Sequence, residues 1–172
     1  MPNQKTSAVR HTAYGLFLLV LVLLQSVPGL IPSVGGALPV LVLPFVVTVG
    51  VFERELAGAA FGLAAGLLMD LFSPHVGGFN AVSLMIIGCV CGLFVSYLLT
   101  VTLRSALLLF CGASVLYFTS QWLIYYVFKG YERPFYYLYQ YQLPSFLYTL
   151  LFLIPIYYFV RMLWRRMTGR AT

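Results

Sequence analysis

Charged residues are scarce in this chain of 172 residues, of which only 8% are charged and 62% are hydrophobic. A soluble domain has roughly 25% charged and 45–50% apolar residues, so this composition excludes a water-soluble globule. The four acids are Glu53, Glu55, Asp70 and Glu132. A transporter or an intramembrane enzyme usually places several ionisable groups inside its spans, whereas this chain has one acid near the end of a span.

Cysteines and catalytic motifs are also few. Of the three cysteines, Cys89 and Cys91 are about 200° apart around a helix, so they cannot hold one ion together, and Cys111 stands alone. No HExxH, GxSxG, Walker, CxxC or GxGxxG pattern occurs, and no nucleophile is paired with a base. We therefore expect no metal, no cofactor and no catalytic residue.

Long apolar runs dominate what the sequence does contain. A membrane-spanning helix needs about 20 mostly apolar residues. We predict six spans, at residues 13–30, 34–52, 56–72, 79–99, 105–128 and 143–160. The connecting loops are too short to hold a second folded domain. The expected fold is one all-α integral membrane domain over residues 1–172, with six transmembrane helices in one bundle.

The basic residues are distributed unevenly among the predicted loops. Short loops rich in Lys and Arg stay in the cytoplasm. With both termini placed inside, eight basic residues fall on the cytoplasmic side and two, Lys129 and Arg133, on the outer side. We therefore expect both termini in the cytoplasm. The net charge of +6 then indicates contact with anionic membrane lipids and not with nucleic acid.

Glycine recurs every fourth residue in the third predicted span, at Gly58, Gly62 and Gly66, and Gly88 and Gly92 form a second pair with the same spacing. Residues at i and i+4 share a helix face, so each set forms a groove that lets another helix approach closely. Such a groove serves either packing inside the bundle or a partner protein's helix, and the spacing leaves both interpretations open.

Asp70 continues this glycine stripe by one further step of four residues and so shares its face. A carboxylate at a helix C-terminus lies against the negative end of the helix dipole, and nearby hydrocarbon adds to its cost. We predict that Asp70 accepts hydrogen bonds from the following turn, which contains Gly78, or from Asn80, a candidate cap of the next span. The alternative is a solvated interfacial acid without a partner.

Two loops have two interpretations each. Five of the fourteen residues from Lys129 to Gln142 are tyrosine. Tyr136, Tyr137 and Tyr139 form either an interfacial belt, which is typical of tyrosine, or an aromatic surface for a partner. In the cytoplasmic turn 53–55, the acids either favour the dipole of the third span or form a docking site for a cytoplasmic partner.

These features resemble the MreD family of rod-shape-determining membrane proteins. Leu24-Gln25-Ser26 closes the first span. A second set of matching residues follows in order: Gly62, Gly66, Leu67, Leu68, Asp70, Leu71, either Gly77 or Gly78, Asn80 and Ala81. The resemblance covers essentially the whole chain. It departs from the family in the second span, where Pro39 is followed by Val40 instead of the acidic or amide residue that is frequent there.

The resemblance implies a non-enzymatic scaffold of the bacterial cell-elongation machinery, needed for rod shape and lateral peptidoglycan synthesis. It implies a multi-pass protein of the bacterial inner membrane that binds an MreC-like single-span protein. The implied assembly includes MreB, RodA and a class B penicillin-binding protein. The family is also similar in fold to the membrane S-components of energy-coupling-factor transporters.

That second likeness supplies the main alternative, a substrate-binding membrane subunit of a vitamin transporter. Such a subunit needs a pocket near the outer face with convergent polar groups, to which residues 119–122 in the fifth span can contribute. Transporter subunits of this kind dock their partner through small residues spaced by four in the first span. Here Ala13 is followed by Phe17, so that feature is missing.

Overall fold

The computed structural model describes residues 4–27, 29, 32, 38–72, 77–124 and 138–168. Every regular element within these ranges is helical, as the composition predicts. The elements are α1 (Gln4–Ser26), α2 (Val42–Phe72), α3 (Phe79–Tyr97), α4 (Leu103–Trp122), a short π-helical turn (Leu138–Gln142) and α5 (Leu143–Thr168).

Five of these helices contain stretches long and apolar enough to cross a membrane, which indicates a membrane protein. The stretches are Ala8–Ser26, Val42–Phe72, Phe79–Tyr97, Leu103–Trp122 and Leu143–Arg166. Their number differs from the six predicted spans because the second and third predicted spans both fall in α2. Outward-facing side chains such as Leu16, Leu71 and Leu108 are large, apolar and exposed.

α2 is not one straight helix. Arg54 has φ 69° and ψ −169°, which is not helical, and a positive φ is uncommon for a residue other than glycine. The Cα of Gly50 lies 3.0 Å from the position that a Cβ on Gly58 would occupy, whereas residues eight apart in a straight helix are separated by about 12 Å. The chain therefore turns back at Arg54. We call residues 42–53 the first arm of α2 and residues 55–72 the second arm.

The first arm forms the centre of the bundle. Every residue from Leu41 to Phe52 is buried, and a helix enclosed on all sides needs no polar face. Its apolar side chains share one core with residues of α1, α4 and α5, among them Tyr14, Phe110 and Tyr157. An unbroken apolar sequence is therefore what this position requires.

The chain enters the first arm through a non-helical segment, residues 38–41. The predicted second span begins at residue 34, whereas residues 38–41 are not helical and the helix begins at Val42. Pro39 disfavours helical conformation in the preceding residue, and Pro44 is tolerated because it lies in the first turn. Residues 33–37 lie outside the described ranges.

Two hydroxyl side chains of α5 satisfy the backbone of this non-helical segment. Ser145 donates a hydrogen bond to the Leu38 carbonyl, and the Val40 N–H donates to Thr149 Oγ1 at 3.0 Å. Both side chains are buried. Non-helical backbone leaves N–H and C=O groups without intrahelical partners, and α5 supplies a partner for two of them here.

Some of the remaining predicted span ends coincide with helix ends, and others differ by several residues. Predicted ends at residue 72 and predicted starts at residues 79 and 143 coincide with helix ends in the structure. α1 begins at Gln4, nine residues before the predicted start, and α5 continues to Thr168, beyond the predicted end. Both extensions are polar turns, which a search for apolar runs omits. The predicted end of the fifth span, at residue 128, lies outside the described ranges.

Candidate functional site

The five predicted glycines all lie at one internal contact, between the second arm of α2 and α3. A Cβ on Gly58 would overlap the carbonyl of Gly88, and one on Gly62 would overlap the carbonyl of Leu84. Gly66 meets the backbone of Ala81 in the same way. As the residue number of the glycine rises from 58 to 66, the residue number of its partner on α3 falls from 88 to 81. The two helices are therefore antiparallel.

Gly92 extends this contact to the turn of α2, where a Cβ would overlap the backbone of Arg54 and Glu55. The close approach leaves no room for a side chain at these positions. Since packing, and not hydrophobic burial, drives helix association in lipid, such contacts are a main source of stability. The structure agrees with the first of the two interpretations of the grooves, in which they serve packing inside the bundle. The glycine face of α2 is occupied by α3 of the same chain.

Asp70 accepts three hydrogen bonds from the start of α3. The N–H groups of Gly78 and Ala81 donate to Asp70 Oδ2 at 2.9 and 3.1 Å, and Asn80 Nδ2 donates to Oδ1 at 2.9 Å. The predicted contacts with the turn and with Asn80 are confirmed. The carboxylate lies at the positive end of the α3 dipole, which offsets its unfavourable place at the end of α2.

The capping arrangement differs from the one predicted. Asn80 is not the N-cap of α3: that position is Gly78, which has φ 93° and no capping side chain. Glycine adopts this left-handed conformation without strain. Asn80 lies inside the first turn, so its side chain is free to donate to Asp70. The carboxylate of Asp70, from the preceding helix, takes the role of the missing cap.

The hydrogen-bond chain continues into α4. Tyr117 Oη donates to Asn80 Oδ1 at 2.8 Å, and Gln121 Nε2 donates to Tyr117 Oη at 3.4 Å. Asn80 and Tyr117 are both buried. We call Asp70, Asn80, Tyr117 and Gln121 the Asp70 cluster. This cluster joins α2, α3 and α4 at one end of the bundle. Sequence analysis did not predict the role of Tyr117. Its spacing of four residues from Gln121 places both side chains on one helix face and could have indicated the contact.

A second polar cluster braces the turn of α2. Arg10 of α1 binds both carboxylate oxygens of Glu53, with Nε and Nη2 each at 2.7 Å. Tyr14 Oη donates to Glu53 Oε1 at 3.3 Å, and His11 Nε2 lies 3.7 Å from Oε2. We call these four residues the Glu53 cluster. A bidentate Arg–carboxylate pair is strong and directional, so it fixes α1 against the turn.

The other acid of this turn is also bound within the chain, because Ser96 Oγ of α3 donates to Glu55 Oε2 at 2.8 Å. The two predicted interpretations of the turn were a favourable interaction with the dipole of the third span and a docking site for a cytoplasmic partner, and neither included these contacts within the chain. Instead, Glu53 and Glu55 hold the turn to α1 and α3. Arg54, between them, is exposed.

The remaining predicted residues do not join these clusters. Gln25 is partly buried at the end of α1, and within the described ranges its Oε1 atom has no hydrogen-bond partner. Tyr139 is exposed, which suits either an interfacial belt or a partner surface. Tyr136 and Tyr137 lie outside the described residues.

The Asp70 and Glu53 clusters hold helices together through hydrogen bonds and an ion pair. In the described part of the chain, no group of three or more His, Cys, Asp or Glu residues could hold a metal ion. Comparisons of the chain with protein-family models, curated proteins and solved structures gave no match.

Proposed function

We propose that this protein is a non-enzymatic scaffold of the MreD type, which acts in the inner membrane of a rod-shaped bacterium. In this role it binds an MreC-like single-span protein and joins an assembly with MreB, RodA and a class B penicillin-binding protein. The resemblance of its motifs supplies the family and the partners. The observation that carries the proposal is that its partly buried acid clusters brace helices against one another.

The Asp70 and Glu53 clusters lie at opposite ends of the second arm of α2. Each joins α2 to neighbouring helices through hydrogen bonds or an ion pair between side chains. Among the described residues, neither carboxylate lines the cavity between α4 and α5 or the one between α3 and α4. A body fixed at both ends in this way is suited to holding partners in place.

We further propose that the two arms of α2 cross the membrane separately, which gives six crossings. The helical residues 42–53 are roughly 18 Å long. The non-helical residues 38–41 add at most about 13 Å. Together they match the roughly 30 Å of hydrocarbon in a bilayer. The buried position of residues 41–52 and the hydrogen bonds of Leu38 and Val40 to α5 support a crossing that is only partly helical.

The positions of the basic residues support cytoplasmic termini. Arg10 binds Glu53 beside Arg54, so both arginines lie at the turn of α2. Arg161 lies one helical turn beyond Tyr157, whose ring centroid is 5.4 Å from that of Phe52 at the same turn. Basic residues thus gather at one end of the bundle, which is the cytoplasmic end by the positive-inside rule.

The alternative, a vitamin-binding transporter subunit, has less support from the residues proposed to line its pocket. Gln121 donates to Tyr117 within the Asp70 cluster, and Ser120 Oγ donates to the carbonyl of Leu116 at 2.7 Å. Both side chains are therefore engaged within the chain. Thr119 does line a cavity, but the walls of this cavity are mainly apolar.

Co-purification tests the proposal. The tagged full-length chain is extracted from host membranes in mild detergent, and the recovered proteins are quantified by mass spectrometry. We expect the MreC-like protein to be enriched over a tagged membrane protein of similar size and unrelated function. Recovery of transporter ATP-binding proteins instead, together with thermal stabilisation of the purified chain by a vitamin, would support the alternative and contradict the scaffold.

A further inference from the structure

Three arginines lie where the turn of α2 meets the last part of α5. Arg54 is in the turn, two residues beyond Phe52. The ring centroid of Phe52 lies 5.6 Å from that of Trp164 in α5. Arg161 precedes Trp164 by three residues, and Arg165 follows it directly. We call Arg54, Arg161 and Arg165 the arginine group.

The acids at this end of the bundle do not neutralise the arginine group. Glu53 is bound by Arg10, and Glu55 accepts a hydrogen bond from Ser96. Within the described ranges, no member of the arginine group forms an ion pair. Two of its side chains are exposed and the third is partly buried. Clustered exposed cations attract anions, so the group is accessible to an anion from outside the chain.

The backbone of Arg54 is a second reason to assign its side chain a role. Its φ of 69° and ψ of −169° fall in a region that is occupied almost only by glycine. Glycine would form this turn without strain. The contacts that brace the turn come from Glu53 and Glu55 on either side of Arg54. Strained residues gather at ligand sites, and a bound anion would account for an arginine here.

An exposed apolar strip leads to the arginine group along α5. Tyr158, Met162 and Arg165 follow one another at spacings of four and three residues, so they share one helix face. Tyr158 and Met162 are 52% and 39% exposed, and Arg165 is also exposed. This face is therefore apolar within the span and cationic at its end. A phospholipid has the same order of groups, whereas a soluble acidic partner would match only the cationic end.

We propose that the arginine group binds the headgroup phosphate of an anionic phospholipid whose acyl chains lie along Tyr158 and Met162. A guanidinium binds phosphate oxygens through two parallel hydrogen bonds. A lipid with net negative charge is preferred because no headgroup amine offsets the charge of its phosphate. This site depends neither on the scaffold function nor on which end of the bundle is cytoplasmic.

Quenching of tryptophan fluorescence by brominated lipids tests the proposal. The chain has two tryptophans, so Trp122→Phe leaves Trp164, next to Arg165, as the reporter. The full-length protein is placed in phosphatidylcholine bilayers that contain a rising fraction of brominated phosphatidylglycerol or, for comparison, brominated phosphatidylcholine. We expect half-maximal quenching at an at least fivefold lower fraction of the anionic lipid, about the effect of one basic residue at an anionic surface. Equal quenching by both lipids would overturn the proposal.

Arg54→Gly separates lipid binding from folding. It removes one guanidinium, so the preference for phosphatidylglycerol should fall about fivefold. Because glycine adopts this backbone conformation freely, the melting temperature should stay the same or rise. The matched control is Arg104→Gln, which removes one charge at the start of α4, at the same end of the bundle, and should retain the preference. An unchanged preference in Arg54→Gly, or equal losses in both variants, would contradict the site.

Inorganic phosphate distinguishes a lipid from a soluble anion. Sodium phosphate is added to the bilayers that contain brominated phosphatidylglycerol, and sodium chloride of equal ionic strength serves as the control. We expect the two salts to reduce quenching equally, through screening alone. A larger reduction by phosphate would indicate a site for a free anion and overturn the lipid. If the lipid preference holds but the MreC-like protein does not co-purify, the lipid site stands and the scaffold function is wrong.

Discussion

Asp70 shows how one side chain can serve two helices. Its carboxylate ends the glycine face of α2 and accepts two backbone N–H groups at the start of α3. Sequence could predict these contacts because their donors follow within eleven residues. It could not predict the bond from Tyr117 to Asn80, which joins residues 37 positions apart and depends on how α4 packs.

At this scale we predict the effect of two substitutions of Asp70. Asp70→Ala removes three accepted hydrogen bonds and should lower the free energy of unfolding by about 2–4 kcal/mol, because bonds to a charged group contribute more than neutral ones. Asp70→Asn retains one acceptor oxygen and should lose about half as much. Unfolding of the purified protein in mixed micelles measures both. If both variants were as stable as the wild type, Asp70 would not join these helices.

The pair formed by the second arm of α2 and α3 shows what a sequence pattern can predict for a helix. Glycines at intervals of four predict a close approach, and the structure has one. The pattern could not predict which surface fills the groove, because that depends on the turn at Arg54 and on the antiparallel return of α3. Nor could apolar sequence show that residues 38–41 are non-helical, since their partners Ser145 and Thr149 are 107 and 109 positions away.

At this scale we predict opposite effects for two glycine-to-alanine substitutions. In Gly62→Ala the new Cβ would overlap the Leu84 backbone, so the helices must separate, and we expect a loss of about 1–3 kcal/mol of stability. Gly112 of α4 is the matched control, because a Cβ there meets no atom within 4 Å. Gly112→Ala should be neutral or stabilise by up to about 1 kcal/mol through helix propensity. Thermal unfolding in detergent compares them, and equal melting temperatures would contradict close packing at Gly62.

At the scale of the whole molecule, the described residues form a helical body whose acid clusters join its helices and whose outer surface is largely apolar. The low fraction of charged residues could predict a membrane protein, because such a chain is not expected to be soluble in water. The long apolar runs could predict that it is helical. Hydropathy could not settle the number of crossings, since it measures apolar length and not backbone conformation. Sequence could name Thr119 as a possible pocket residue, but it could not show that Ser114 and Gln142 line the same cavity, because these two come together only through the packing of α4 against α5.

We propose that this protein controls cell shape by holding other proteins, and depletion of the protein in its rod-shaped host tests this proposal most directly. Cell shape and vitamin uptake are measured in the same depleted cells, with wild-type protein supplied from a second locus as the control. We predict that depleted cells become round while vitamin uptake stays normal. Depleted cells that remain rods and lose vitamin uptake would contradict the account.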